Sequence, residues 1–257
     1  MKIKELTQLY AQSPNCRALV QLLDDRHLRR LHADGLLASS APVALSGVVD
    51  KQSVVLFILQ DADEAGYFYH DIDQTKSRDV LFFPSSYKRA VKYGQRDAAN
   101  EILRTEVLTR LTTRGKKKAL LVITHPEALS ELVVSKSQLD ERVVSLHQGQ
   151  VVDMNDLRKR LLSLGFHEQD YVYEPGQFAI RGSILDVYSF SSELPFRIDF
   201  FDDEIDSIRS FEVESQLSKE KKEQVDIVPE LSARTDRRIP FFQFLPDDAL
   251  IVMKDYV

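Results

Sequence analysis

Residues 176–211 read GQFAIRGSILDVYSFSSELPFRIDFFDDEIDSIRSF, and the parity of this stretch decides how the surrounding chain folds. In Pro195–Phe201, PFRIDFF, the apolar residues Phe196, Ile198 and Phe200 fall on one side of a strand, while Arg197, Asp199 and Phe201 fall on the other. The segment before it repeats the design. Phe178 and Ile180 alternate with Ala179 and Arg181, and Gly182 then predicts a bulge or sharp bend. Asp202 and Asp203 sit where a hairpin must turn, a place that favours Asp for its local hydrogen bonding rather than for metal or acid–base chemistry. With the apolar sets inside, Arg181, Arg197 and Phe201 share an outer surface. Arginine beside an aromatic is the composition of a protein-binding hot spot. An equally simple reading has nearby carboxylates such as Asp199 neutralising the arginines as ordinary surface pairs. Pattern alone leaves both open.

Working outward, period-two strands with turn residues between them are antiparallel chemistry. A helix at 153–164, capped by Asp153 and ended by Gly165, precedes them, so residues 143–222 are predicted to form a small α+β domain. The charged run SKEKKEQ (218–224) reads as a linker. Residues 1–142 have a different texture. Three short helices are expected first: one carrying Ile3, Leu6 and Leu9 or Tyr10, one opened by Ser13–Pro14, and one from about Asp25 to Gly35. The runs PVALSG, SVVLFILQ, DVLFFP and KKALLVIT then look like buried parallel strands, with a helix at 96–112 among them. In 223–257, VDIVPEL and ALIVM read as strands returning to this first domain. The fold class is therefore α/β with a parallel sheet, plus an inserted smaller α+β domain with antiparallel strands.

Composition excludes several functions. The chain has 257 residues, 43% hydrophobic and 29% charged, as in soluble globular proteins, and a formal net charge of −6 gives no global attraction to phosphate backbones. A single cysteine, Cys16, precludes an intramolecular disulfide, and no apolar run has membrane-spanning length; a cytoplasmic protein without membrane contact is expected. Leu45–Ser53, LSGVVDKQS, fails as a phosphate-binding loop, because Gln52 and Ser53 stand where the second glycine and the lysine belong, and too few residues remain for a following helix. The six histidines show no metal-ligand spacing, and no nucleophile motif is present, so catalytic, cofactor and metal residues are expected to be absent. Two basic clusters, Lys88–Arg89–Lys92 with Tyr87 and Tyr93 nearby, and Lys116–Lys118, leave room for weak DNA contact. A solvated helix face and a loop account for them equally.

The runs YEPGQFAIRGSILDVYSF and ELPFRIDFFDDEIDSIRSFEVESQLS resemble the module shared by the excision-repair protein UvrB and the bacterial transcription-repair coupling factors (Mfd). The resemblance is strongest over residues 171–218, and the FFDDEIDS wording is more similar to the coupling factors. It implies that the first domain is a degenerate RecA-like, P-loop-like layer. It further implies that the small domain binds the UvrA repair protein through Arg181, Arg197 and Phe201, as a non-enzymatic adaptor that needs no cofactor. Coupling factors are longer, so RNA polymerase and DNA would be bound by parts outside this chain, and the ATP-dependent translocase motor would lie there too. The short segment after Gly47 departs from the family, which puts the local strand connectivity in question. Two rival readings remain: a UvrB-type ATP-dependent repair helicase module, which needs the missing lysine, and a DNA-binding module using the basic clusters.

Overall fold

The computed structural model describes residues 3–25, 27–28, 30–36, 39–49, 53–75, 79–87, 97–113, 119–231 and 238–254. The chain opens with helices α1 (Ile3–Gln12), α2 (Pro14–Leu23) and α3 (Ser40–Val48), then runs through β1 (Val54–Ile58), α4 (Ala62–Asp73), β2 (Asp79–Phe83), α5 (Ala98–Thr113) and β3 (Leu120–Thr124). Next come α6 (Pro126–Ser130), β4 (Val133–Val134), α7 (Lys136–Arg142), β5 (Val144–His147), α8 (Met154–Ser163) and β6 (His167–Glu168). The remainder is rich in strands: β7 (Gln177–Arg181), β8 (Ile184–Val187), β9 (Phe196–Phe201), β10 (Glu204–Phe211), β11 (Ser218–Lys222), β12 (Gln224–Ile227), β13 (Arg238–Ile239) and β14 (Leu250–Met253), with a short 3-10 helix at Phe241–Phe244. The fold is mixed α/β, and the chain divides into two compact units. One comprises residues 1–85, 114–131 and 245–257, the other residues 86–113 and 132–244.

The first unit is built on a parallel sheet in the order β14-β1-β3-β2. Strand β3 is buried along its whole length, as an interior strand of a parallel sheet must be. Helix α4 starts where the Asp61 carboxylate accepts from the Glu64 N–H at 2.9 Å. It turns Ala65, Phe68 and Ile72 onto the sheet, where Phe68 meets Phe57 with ring centroids 5.0 Å apart. The Ser13 cap before Pro14 forms as the sequence suggests, with the hydroxyl accepting from the Cys16 N–H.

Two expectations fail in this unit. PVALSG is not a strand but the body of α3, whose residues have no exposed side, being packed by α1, α2 and α4. A short helix enclosed on all sides shows no polar face, so its apolar run reads like a buried strand. Gly47 lies inside this helix, with Ala11 close by, and not in a turn after a strand. The helix expected from Asp25 is also absent among the described residues of that stretch. There the Asp25 side chain accepts from the His27 N–H, and its carbonyl from the Leu28 N–H, a local turn that competes with helix.

In the second unit a six-stranded sheet has the order β11-β10-β9-β8-β7-β6, antiparallel throughout except for the β6–β7 pair. Helix α8, capped by the Asp153 carboxylate on the Asp156 N–H at 2.9 Å, lays Leu157 and Leu161 on one face of it. There they join Phe178, Leu185, Val187, Phe196, Ile198 and Phe200 in one core. A register shift between Ile205 and Ser207 lets both Ile205 and Ile208 point into that core although they are three residues apart. Gly176 has φ of 87°, and a Cβ there would stand 2.9 Å from the Phe190 ring, so glycine is required on both counts.

Two further sequence readings are corrected here. SKEKK is not a linker but edge strand β11, paired with β10; an edge strand wet on both sides has no apolar alternation to reveal it. VDIV does not return to the first sheet. As β12 it pairs antiparallel with β5 and adds Val225 and Ile227 to the second unit's core. ALIVM does return, as β14 beside β1.

Candidate functional site

The face of the six-stranded sheet opposite α8 carries the three residues singled out by parity. The cross-strand register sets Ala179, Asp186, Arg197 and Arg209 in one row across β7, β8, β9 and β10. Arg181, Ile184, Asp199 and Ser207 form the next row. Phe201 ends β9 beyond that row, immediately before the Asp202–Asp203 turn, in which Asp202 takes a left-handed φ of 52°. Gly182 occupies the corresponding turn between β7 and β8, at φ of 61°. Phe201 is 75% exposed, and a phenylalanine this open at the end of a well-paired strand contributes nothing to the core.

Two arginines and one carboxylate form the centre of the face. Asp186 is only 1% exposed, and both guanidiniums converge on it. Arg197 grips it with a fork, Nε to Oδ1 at 2.7 Å and Nη2 to Oδ2 at 2.8 Å, and Arg181 donates to the same Oδ2 through Nη2. The hydrogen bonds to Asp186 hold the Arg197 guanidinium's pKa above its ordinary value, against a desolvation that acts the other way. Arg197 also lies over the Phe211 ring, 4.4 Å from its centroid, a cation–π contact. Phe211 belongs to a second, smaller core on this side, with Val172, Ala179 and Tyr188.

The surface reading of the arginines is overturned in its particulars. Asp199 pairs with Arg209 at 2.8 Å and accepts from the Ser207 hydroxyl; the partner of Arg181 and Arg197 is Asp186. The sequence contained the signal for Asp186, an acid between Leu185 and Val187 in a strand, with the parity of Arg197. Tyr171 was also missed. It is exposed, as is Tyr173 beside it, and the Arg181 guanidinium lies 4.8 Å from its ring centroid. Its position follows from Val172, which inserts into the small core and leaves both tyrosines outside.

Among the described residues no cluster of His, Cys, Asp and Glu could hold a metal ion, and no helix is long and apolar enough to cross a membrane. The basic residues Lys88, Arg89, Lys92 and Lys116–Lys118 lie outside the described residues, as do Lys51 and Gln52 of the phosphate-loop comparison.

This geometry falls inside a recognised domain. Residues 144–232, which span β5 to β12, match the family model of the UvrB interaction domain. Over a longer stretch the chain is similar to transcription-repair-coupling factors. It is 30% identical to that of Escherichia coli over 78% of this chain, 26% to that of Haemophilus influenzae over 81%, and 28% to that of Bacillus subtilis over 76%. The matches cover 17%, 18% and 16% of those proteins, so the chain spans less than a fifth of the curated relatives it matches.

Proposed function

We propose that this chain is a non-catalytic docking module of transcription-coupled DNA repair, which binds the UvrA protein through the outer face of its six-stranded sheet. Phe201 would enter an apolar pocket of UvrA, and the arginine-bearing surface beside it would supply charge-assisted hydrogen bonding to acceptors there. Phe201 carries this reading: a largely exposed aromatic beside a held arginine pair, within the stretch that matches the UvrB interaction domain. Covering an exposed phenylalanine is worth about 1.5–3 kcal/mol, enough to make one side chain decisive in a standard interface. Contacts to RNA polymerase and DNA would come from parts of a longer protein outside residues 1–257.

The UvrB-type alternative requires a nucleotide site at Leu45–Ser53, where Gly47 instead lies in the last turn of α3. Titration of purified UvrA with this chain, wild type beside Phe201→Ala, tests the docking reading. Saturable binding that weakens by about 10-fold or more in a folded Phe201→Ala chain is the expected result.

A further inference from the structure

The two arginines of the outer face are equivalent in parity but not in surroundings. A guanidinium has five N–H donors in a fixed plane. Arg197 uses four of them within the chain: Nε and one Nη2 proton on Asp186, the other Nη2 proton on the Gln216 side-chain oxygen at 3.1 Å, and one Nη1 proton on the Gln216 carbonyl at 3.3 Å. Its side chain is 14% exposed, with one face against Phe211. Gln216 is itself fixed: its side-chain amide donates to the Val213 carbonyl at 2.7 Å, and its N–H to the Glu212 carbonyl at 2.8 Å. Arg181 makes two hydrogen bonds, to Asp186 and to the Asp170 carbonyl, and its side chain is 34% exposed.

We propose that Arg181 is the arginine that touches the partner, and that Asp186 and Arg197 are positioning residues that hold it there. The inference rests on the docking reading and divides its labour. Asp186 accepts the Arg197 fork, which fixes the plane and position of the carboxylate. The fixed Oδ2 then holds one corner of Arg181, and the Tyr171 ring stands under its guanidinium. Three Arg181 N–H groups remain for a carboxylate or carbonyl on the partner. Without the carboxylate, two like charges would face each other across the sheet, and Arg181 would swing into solvent and have to be ordered again on binding. An arginine whose donors are already committed gains little from a partner, so Arg197 acts through Asp186.

The test is a thermodynamic cycle on UvrA binding. Purified UvrA is titrated with wild type, Arg181→Ala, Asp186→Asn and Arg197→Gln, and with the last two combined with Arg181→Ala; circular dichroism verifies folding. Each single variant is expected to bind about 5- to 10-fold or more weakly, while in the Arg181→Ala background the other substitutions change Kd by less than about 2-fold. A general weakening of the sheet would persist in that background, so this outcome separates positioning from mere structure. If Asp186→Asn does not fold, Arg197→Lys replaces it, keeping the charge but losing the fork. Losses that persist without Arg181, or wild-type affinity in Asp186→Asn or Arg197→Lys, overturn the division of labour and leave the docking face standing. Failure of wild type to bind UvrA sinks the docking reading and this inference with it.

Discussion

At the scale of single residues, the outer face joins a buried charge to an exposed aromatic. Asp186 is buried with two guanidiniums neutralising it, whereas Phe201 is 75% exposed at the end of its strand. These residues should separate in their effects. Asp186→Ala leaves Arg197 without its fork and is expected to lower stability by about 2–4 kcal/mol in urea unfolding, somewhat less than for a fully buried pair because Arg197 keeps some exposure. Tyr188 offers a pH test. Burial first, and the nearby Glu193 charge second, raise the pKa of its phenol above 10, and its hydroxyl donates to the Glu193 carbonyl at 2.6 Å. A raised folded-state pKa means the contribution is complete below the unfolded value near 10 and is lost as pH rises through the folded one. Tyr188→Phe should therefore be less stable than wild type near neutral pH by about 1 kcal/mol or less, and the difference should shrink above pH 10. A gap that stays constant from neutral to alkaline pH would contradict this assignment.

At the scale of elements, what could be read in advance depended on whether an element's environment left a mark on its pattern. Helix α8 was legible because its polar face, the Asp153 cap and Gly165 are all local signals. Asp153→Ala should remove one capping bond and cost about 1 kcal/mol, measured as a shift in the urea midpoint with an unchanged slope. Strands β7 and β9 were legible because one face is core and the other is not. Helix α3 was not, since it is enclosed on all sides, and β11 was not, since its charged residues face water in both directions. The same limit applied at the candidate face. Parity put Arg181, Arg197 and Phe201 on one side, but the choice between Asp186 and Asp199 as the arginines' partner depends on cross-strand register: β8 sets Asp186 opposite Arg197, and β10 brings Arg209 to Asp199. Tyr171 could be placed only through the tertiary contact of its neighbour Val172.

At the scale of the whole molecule, the chain combines a stretch that matches the UvrB interaction domain with a parallel-sheet unit in which Gly47, compared above with the first glycine of a phosphate loop, lies in the last turn of α3. Titration with magnesium and ATP should give no saturable heat, and a stoichiometric signal would favour the UvrB-type reading. The central claim is that the outer face docks UvrA, and the most direct measurement is a calorimetric titration of UvrA with wild type, Arg181→Ala, Arg197→Ala and Phe201→Ala, each verified as folded. The account predicts saturable binding by wild type, and losses of about 1 kcal/mol or more for each variant, largest for Phe201→Ala. Wild-type affinity in all three folded variants, or no binding by wild type, would contradict it.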